Sequence, residues 1–463
     1  MKKLLFFLSF IFIHSFSYSQ IIFPLGKGTT DSPYQYGGEI RTLFTDTIDN
    51  ILYAGGDFTY AGSKACWGIA KWDGTKWDSL GSGMKEPNSI QLSSHVRNIV
   101  RYKNEIYVTG NFRDIGSKKI SGLARWNGTE WNNVGGPLKK QGQSDIVTAS
   151  ALEVYNGELY VSGQFDTIGT TRCNKIAKWD GVSWTNLGLN YHNNCSKDDI
   201  TDLIFYNNEL YAAGNINCFP INEPISKMFG NQWIDVGLGI YGDSWVNEFT
   251  IYQNNLYVAG YFFTQASNTD NSLLYINGTN YYPTAGGVLP SNCDDIFEYK
   301  EDLYVCGQIT SAGFQPASSI AKWNGSQWTN LGFNVLKVNN PGTISAFERY
   351  NDKLIVAGHI SSINGTFVNN IAMIDFNPVG FQLSQQNKNL KVFPNPASEV
   401  FNIQLDKSEQ KGKVCLYNQI GQQVYLQSYG SLQSIAVTNF AKGIYVVEVE
   451  TEKGVMRQKV VIE

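Results

Sequence analysis

A six-residue phrase returns seven times along the chain: Tyr, an apolar residue, a small residue, Gly, any residue, then an aromatic or aliphatic one. It reads YAGGDF (53–58), YVTGNF (107–112), YVSGQF (160–165), YAAGNI (211–216), YVAGYF (257–262) and YVCGQI (304–309), and IVAGHI (355–360) with Ile355 in the tyrosine slot. The shared glycines are Gly56, Gly110, Gly163, Gly214, Gly260, Gly307 and Gly358, and their differences give a period of 46 to 54 residues. A period of that length belongs to four-stranded units arranged around an axis, not to leucine-rich or helical-pair repeats.

The strands of one unit follow from its pattern. An apolar stretch such as NIVRY leads through a tight turn, KNE or NGE, into the tyrosine strand, which is a hairpin signature. A loop of ten or more residues follows, and then IAKWDGTKW, in which Asp73-Gly74 reads as a two-residue type I′ turn. Asn127-Gly128, Asp180-Gly181, Asn277-Gly278 and Asn324-Gly325 repeat that signal, with Trp72/Trp77, Trp126/Trp131, Trp179/Trp184 and Trp323/Trp328 flanking four of the five turns. These tryptophans read as packing between neighbouring units.

The seventh unit breaks off after IAMIDF (371–376), where others continue into WxxLG. The missing strand stands at the start of the chain, with Ile22 in the tryptophan slot and Leu25-Gly26 completing it. The expected fold is therefore all-β: a seven-bladed β-propeller over residues 20–376 whose last blade is closed by the N-terminal strand. The repeats resemble kelch-like propellers, although only Gly55-Gly56 keeps a kelch-style glycine doublet. The Asp-box serine is replaced by Lys71, Arg125 or Lys178, and no WD dipeptide with its Gly-His is present.

Two further segments flank the repeats. Residues 1–19 read as a signal peptide, with Lys2 and Lys3, the apolar run Leu4 to Ile13, and small Ser17 and Ser19 before a cut ahead of Gln20. No later segment reaches the roughly 20 apolar residues of a membrane-spanning helix. Residues 377–390 read as a polar linker. From Lys391 the chain loses tryptophan and shows short alternating strands, the pattern of a small Ig-like antiparallel sandwich. Residues 391–463 resemble the type A C-terminal sorting domain of type IX secretion in Bacteroidota. The resemblance is carried by VFPNPAS with Pro394, Asn395 and Pro396, by LYNQIGQQV with Gly421, by AKGIYVVEVE with Gly443, and by the terminal QKVVIE. It implies a partner, the type IX machinery, and release or attachment at the cell surface.

Composition narrows the partners. The formal charge is −4, and loss of Lys2 and Lys3 with the leader takes it to −6, which gives no reason to expect nucleic acid or an anionic membrane. Seven cysteines in an exported chain permit disulfides. Cys195 can pair with Cys173 or Cys218, with Cys195–Cys218 the preferred pair, and Cys306 reads as a buried thiol. His95, His192 and His359 fall in different repeats, so no metal trio is expected. No GxSxG, HExxH, P-loop or EF-hand pattern occurs, and no cofactor is indicated.

Two groups remain as candidate sites. Asp202, Glu248 and Asp295 occupy one slot in three consecutive units, four residues before the tyrosine ending each innermost strand, and Glu153 and Glu348 lie two positions further along. Convergent carboxylates can hold a cation or basic group or share a proton; the competing reading is solvated charge in a water-filled channel. The loops of one face carry Tyr34, Tyr36, Trp67, Tyr191, Tyr241 and Trp245, suited to sugar rings or a protein surface, against loop-anchoring packing. The expected function is a secreted or surface protein binding a glycan or protein through that face. The alternative is a polysaccharide hydrolase or lyase using the carboxylates.

Overall fold

The computed structural model describes residues 20–31, 38–84, 95–142, 147–188, 198–216, 224–237, 240–264, 267–278, 280–289, 292–338, 340–376, 390–405, 412–417, 423–429, 432–451 and 454–463. The expected signal peptide, most of the linker, Tyr34, Tyr36, Tyr191, Cys195, Cys218 and Gly421 lie outside them. The described residues are all-β, and none of their segments is a helix long and apolar enough to cross a membrane. The chain divides into two compact units, Ile22–Met373 and a second that holds Ile374–Glu463.

The first unit is built on seven four-stranded antiparallel sheets. Sheet one takes Glu39–Asp46, Ile51–Asp57, Ile69–Trp72 and Trp77–Ser79, joined in that order, and five more follow the same plan. Their first strands are His95–Tyr102, Ala149–Tyr155, Asp198–Tyr206, Ile240–Tyr252 and Cys293–Tyr299. In the seventh sheet, Thr343–Tyr350, Lys353–His359 and Ile371–Asp375 are completed by Ile21–Pro24, which lies beside Ile371–Asp375. The second strand of each sheet is buried on both faces, as in Ile51–Asp57, Glu105–Asn111 and Lys353–His359, which explains its unbroken apolar run.

The hydrophobic core is split into layers between successive sheets. One layer joins Leu25, Ile355, Ala357 and Ile371 of the seventh sheet to Ile40, Leu52, Trp72 and Trp77 of the first. The seams are pegged by repeated hydrogen bonds. The indole N–H groups of Trp77, Trp131, Trp184 and Trp233 donate to the carbonyls of Leu25, Leu80, Val134 and Leu187 of the preceding sheet, at 2.9, 2.9, 3.0 and 2.6 Å. The tyrosine ending each first strand reaches the hairpin turn of the next sheet. Tyr206 donates to Asn254 O (2.9 Å), Tyr252 to Glu301 O (2.8 Å), Tyr299 to Asp352 O (2.7 Å) and Tyr350 to Asn50 O (3.2 Å). The last of these joins the seventh sheet to the first. In sheet one Asp46 replaces the tyrosine and pairs with Arg101 of sheet two.

The N-terminal segment is fastened by Asn369 and Asn370. Thr29 N donates to Asn369 O (3.0 Å), Asn369 Nδ2 to Lys27 O (2.8 Å), and Asn370 Nδ2 to Thr29 O (2.9 Å) and Gly38 O (2.7 Å). Gly28 is required there, since a Cβ would lie 1.9 Å from Asn369 O. Gly83 meets Cys66 O in the same way, so the second glycine of FPLGKG and of WDSLGSG has one job.

Two local expectations are corrected. Asp73-Gly74 is no two-residue turn, because Trp72 pairs with Trp77 and leaves a four-residue loop. The Asp73 carboxylate caps it by accepting Thr75 N (2.8 Å) and Lys76 N (2.9 Å), as Asn127, Asp180 and Asn324 do in theirs. Two-residue turns with positive φ at both central residues do occur in the first hairpins, at Lys103-Asn104, Asn156-Gly157, Asn207-Asn208, Gln253-Asn254, Lys300-Glu301 and Asn351-Asp352, and in two short later hairpins, at Gly313-Phe314 and Asn364-Gly365. The loop after the tyrosine strand is also more regular than expected. In five units it folds into a short hairpin, at Tyr60–Ala61/Lys64–Ala65, Asp114–Ile115/Lys118–Lys119, Thr167–Ile168/Thr171–Arg172, Ser311–Ala312/Gln315–Pro316 and Ser362–Ile363/Thr366–Phe367. In the first, third and sixth units the chain arriving from the preceding sheet adds a third strand, and in the seventh it adds two, Val335–Lys337 and Asn340–Pro341.

The second unit has two antiparallel sheets. Leu390–Phe393, Val400–Leu405 and Leu432–Ala436 form one; Gln423–Tyr429, Gly412–Tyr417, Gly443–Thr451 and Gly454–Ile462 form the other. A single core holds Phe401, Ile403, Val414, Leu416, Val447 and Val460 between them. Asn395 of the Pro394-Asn395-Pro396 motif ties into the last strand: its Nδ2 donates to Lys459 O (2.7 Å) and its Oδ1 accepts Val461 N (2.9 Å). Gly443 sits opposite Ile462 in the same sheet.

Candidate functional site

The first strands share a defect that sequence reasoning missed. Each carries a β-bulge, where the register slips between Ile40/Thr42, Ile200/Asp202, Val246/Glu248, Cys293/Asp295 and Ile344/Ala346, with equivalent slips in the second and third sheets. The repeat glycine lies opposite. A Cβ on Gly56, Gly110, Gly214 or Gly358 would sit 2.2, 2.1, 1.9 or 2.2 Å from the carbonyl oxygen of Glu39, His95, Asp199 or Thr343. The glycine is what lets the bulged strand come close. The bulge residue is polar in every sheet: Arg41, Arg97, Ser150, Thr201, Asn247, Asp294 and Ser345. Aligning the repeats one residue before the acidic slot would have found the series.

These residues are linked from sheet to sheet. Ser345 donates to Glu39 (3.1 Å); Arg41 pairs with Glu39 and Asp57, both at 2.9 Å; His95 Nδ1 lies 3.4 Å from Asp57. Arg97 reaches Ser150 (3.4 Å) and Asp199 (3.6 Å), and Ser150 donates to Asp199 at 3.1 Å. Thr201 donates to Val246 O (2.5 Å) and Asn247 to Cys293 O (2.8 Å). Burial, with Arg97 and Arg41 nearby, keeps the His95 imidazole below its usual pKa although Asp57 pulls the other way. Burial, reinforced by Glu39 and Asp295, lifts the Asp294 carboxyl to about 7.

The predicted carboxylates lie on the same strands, and they are not a solvated lining. Asp202 is buried and accepts Leu203 N (2.7 Å) and, across the seam, Phe249 N (2.8 Å). Asp295 accepts Phe347 N (2.7 Å) and Glu348 accepts Thr45 N (3.0 Å), again from the following sheet, and Glu153 takes the Phe205 amide. Each is a staple between neighbouring first strands. Glu248 has no such amide among the described residues. Burial raises all five: Glu153 to about 8, Asp202 and Glu348 to about 7, Asp295 to about 6, and Glu248 well above its usual range, the last pushed further by Asp202, Asp295 and Glu153. No three His, Cys, Asp or Glu side chains among the described residues are grouped to hold a metal ion.

Of the predicted aromatic site, the described side chains are those of Trp67 and Trp245. Trp67 is half-buried with its backbone tied down, its carbonyl accepting Met84 N at 2.7 Å, and it belongs to the first sheet. Trp245 is 38% exposed and belongs to the fifth, which is no neighbour of the first in the series. Tyr241 pairs with Phe263 on the strand of Trp245, but its side chain lies outside what is described, as do Tyr191, Cys195 and Cys218. Cys173 is a buried free thiol that donates to Thr171 O at 3.2 Å, and Cys306 is buried and free beside Cys293.

No curated protein matches the chain. Among solved structures it is similar to the extracellular domain of a protein described as a hybrid two-component system from B. thetaiotaomicron. There the TM-score is 0.48 at 13% identity, over 97% of this chain and 59% of that one. A second such domain from the same organism gives 0.44 at 9% identity, over 95% and 57%. A fungal alcohol oxidase of the AA5 family, in complex with copper, gives 0.42 at 11%, over 95% and 98%. The chain thus spans under two thirds of the length of the two bacterial domains. Residues 391–463 match the family model described as secretion system C-terminal sorting domain, which marks the protein as secreted or cell-surface and as a client of type IX export.

Proposed function

We propose that the first unit is a seven-bladed, kelch-like β-propeller, spanning residues 20–376, that binds a glycan or protein at the cell surface without catalysis. The second unit, residues 391–463, would serve as its export module as an Ig-like sandwich. Support for the ring comes from the seven equivalent sheets and from the contacts that return from the seventh to the first: Tyr350 with Asn50, Glu348 with Thr45, and Ser345 with Glu39. The observation that carries the binding reading is the continuous polar line from Ser345 to Asp199, which offers both donors and acceptors where the first strands bulge.

The alternative is a polysaccharide hydrolase or lyase, and one observation favours it: Glu248 is a raised carboxyl with no amide to hold it among the described residues. Against it, Asp202 and Asp295 are already engaged by backbone amides. The test is a glycan array and a surface-protein capture with the secreted protein, run beside a polysaccharide-degradation screen. Binding without turnover supports the proposal. Degradation that Glu248→Gln abolishes, with binding retained, replaces it with the alternative.

A further inference from the structure

The small hairpins that follow the tyrosine strands differ around the series in one respect, the side chains at their outer level. Residues directly opposite in antiparallel strands share a face. In the third unit the register aligns Lys139, Thr167 and Arg172. The same level reads Thr30, Tyr60, Ala65 in the first unit and Leu336, Ser362, Phe367 in the seventh. In the second unit it holds Lys119 opposite Asp114. Cations are therefore gathered on the second and third hairpins, in a chain whose overall charge is −4.

The surrounding acids do not neutralise them. Asp114 is taken by Arg113 (3.2 Å), Glu130 by Lys118 (2.8 Å) and Asp166 by Lys175 (3.2 Å). Lys119, Lys139 and Arg172 are exposed and make no ion pair among the described residues, whereas half-exposed Lys140 lies near enough to Asp166 to help hold its carboxyl down. Among the described residues Arg172 gives only its Nε, to Asn174 at 3.4 Å, and the side chain is exposed. Lys139 and Arg172 stand two strands apart, about 10 Å. Asn133 Nδ2 donates to Lys119 O at 3.3 Å, so the second hairpin adjoins the segment that runs on to Lys139.

We propose that this surface binds an acidic polysaccharide, whose carboxylates or sulfates lie against Lys119, Lys139 and Arg172. The inference rests on the ligand-binding reading above, places a contact surface on the hairpins in addition to the line from Ser345 to Asp199, and names a ligand class. A secreted or surface protein meets acidic polymers chiefly as polysaccharide, and the two hairpins, DIGSKK and TIGTTR, carry hydroxyls but no aromatic platform on which bases would stack.

Full-length protein is titrated with polygalacturonate, heparin, neutral dextran and duplex DNA at low and physiological salt. Binding to one of the two acidic polysaccharides, weakening as salt rises, is the expected result. The triple variant Lys119→Glu, Lys139→Glu, Arg172→Glu should lose at least ~30-fold in affinity, as three exposed charge contacts predict. Lys391→Glu, an exposed charge in the second unit, should change nothing. The inference is overturned by no binding to either acidic polymer at low salt, by equal affinity for dextran, by tighter binding to DNA, or by an unaffected triple variant. A neutral glycan or protein ligand captured under those outcomes overturns only this inference and leaves the proposed function in place.

Discussion

The carboxylate of Asp202, in the fourth sheet, accepts the backbone N–H of Phe249 in the fifth at 2.8 Å while also holding its own neighbour, Leu203 N, at 2.7 Å. Asp202→Ala would strand two buried donors, a loss of about 1–3 kcal/mol each at most. Asp202→Asn keeps one acceptor and should cost less. Thermal unfolding should rank wild type above Asn above Ala; an Ala variant as stable as wild type removes the staple interpretation.

The raised carboxyls set a pH dependence with a definite sign. Glu153 (about 8), Asp202 and Glu348 (about 7) and Asp295 (about 6) bind protons more tightly folded than in the unfolded chain, where carboxyls titrate near 4. Between about pH 4 and pH 8 the folded state therefore carries more protons, and stability falls as pH rises. The first unit should melt higher at pH 5.5 than at pH 8.5. Glu248→Gln should narrow that gap by removing one repelling charge. A melting temperature that climbs with pH would contradict the burial of these groups.

Gly110→Ala places a Cβ 2.1 Å from His95 O, against backbone that cannot step aside without undoing the bulge. It should lower stability by about 3 kcal/mol or more, or prevent folding. Gly128→Ala, with nothing within 4 Å, meets only the penalty of its φ of +98° and should lose about 1 kcal/mol. Denaturant midpoints of the two variants separate the effects.

Asn370→Ala removes the donor to Thr29 O and Gly38 O and the acceptor for Ile360 N (3.2 Å) and Lys337 Nζ (3.2 Å), all buried. The expected loss is about 3 kcal/mol or more. Limited proteolysis should then cut near Lys27 before any other site in the first unit. Resistance equal to wild type would show that the N-terminal segment is held elsewhere.

Deletion of residues 391–463 should leave the protein inside the outer membrane, measured by fractionation and surface labelling. Export of the truncated chain at wild-type level would deny the segment its role.

Much of the architecture was legible because it is written in spacing. The glycines from Gly56 to Gly358 give the unit, and the truncated seventh copy, with Leu25-Gly26 at the other end, gives the partner of Ile371–Asp375. The bulges were not legible, because a register slip leaves no residue type of its own. Its trace is a polar residue recurring in one slot, Arg41, Arg97 and Asp294 among them, visible only once the repeats are aligned. The role of Asp202 and Asp295 was hidden for another reason. A carboxylate in a channel and one bonded to the next strand's amide look alike in a sequence, and only the Phe249 and Phe347 contacts tell them apart.

The seventh sheet unites segments about 340 residues apart, as Asn369 and Lys27 record. Every other sheet of the first unit closes from contiguous chain and bears a small loop-closure entropy, whereas this one must wait for almost the whole unit to be present. Its pairing therefore carries the largest closure cost of the seven, and it is the sheet expected to form last on refolding.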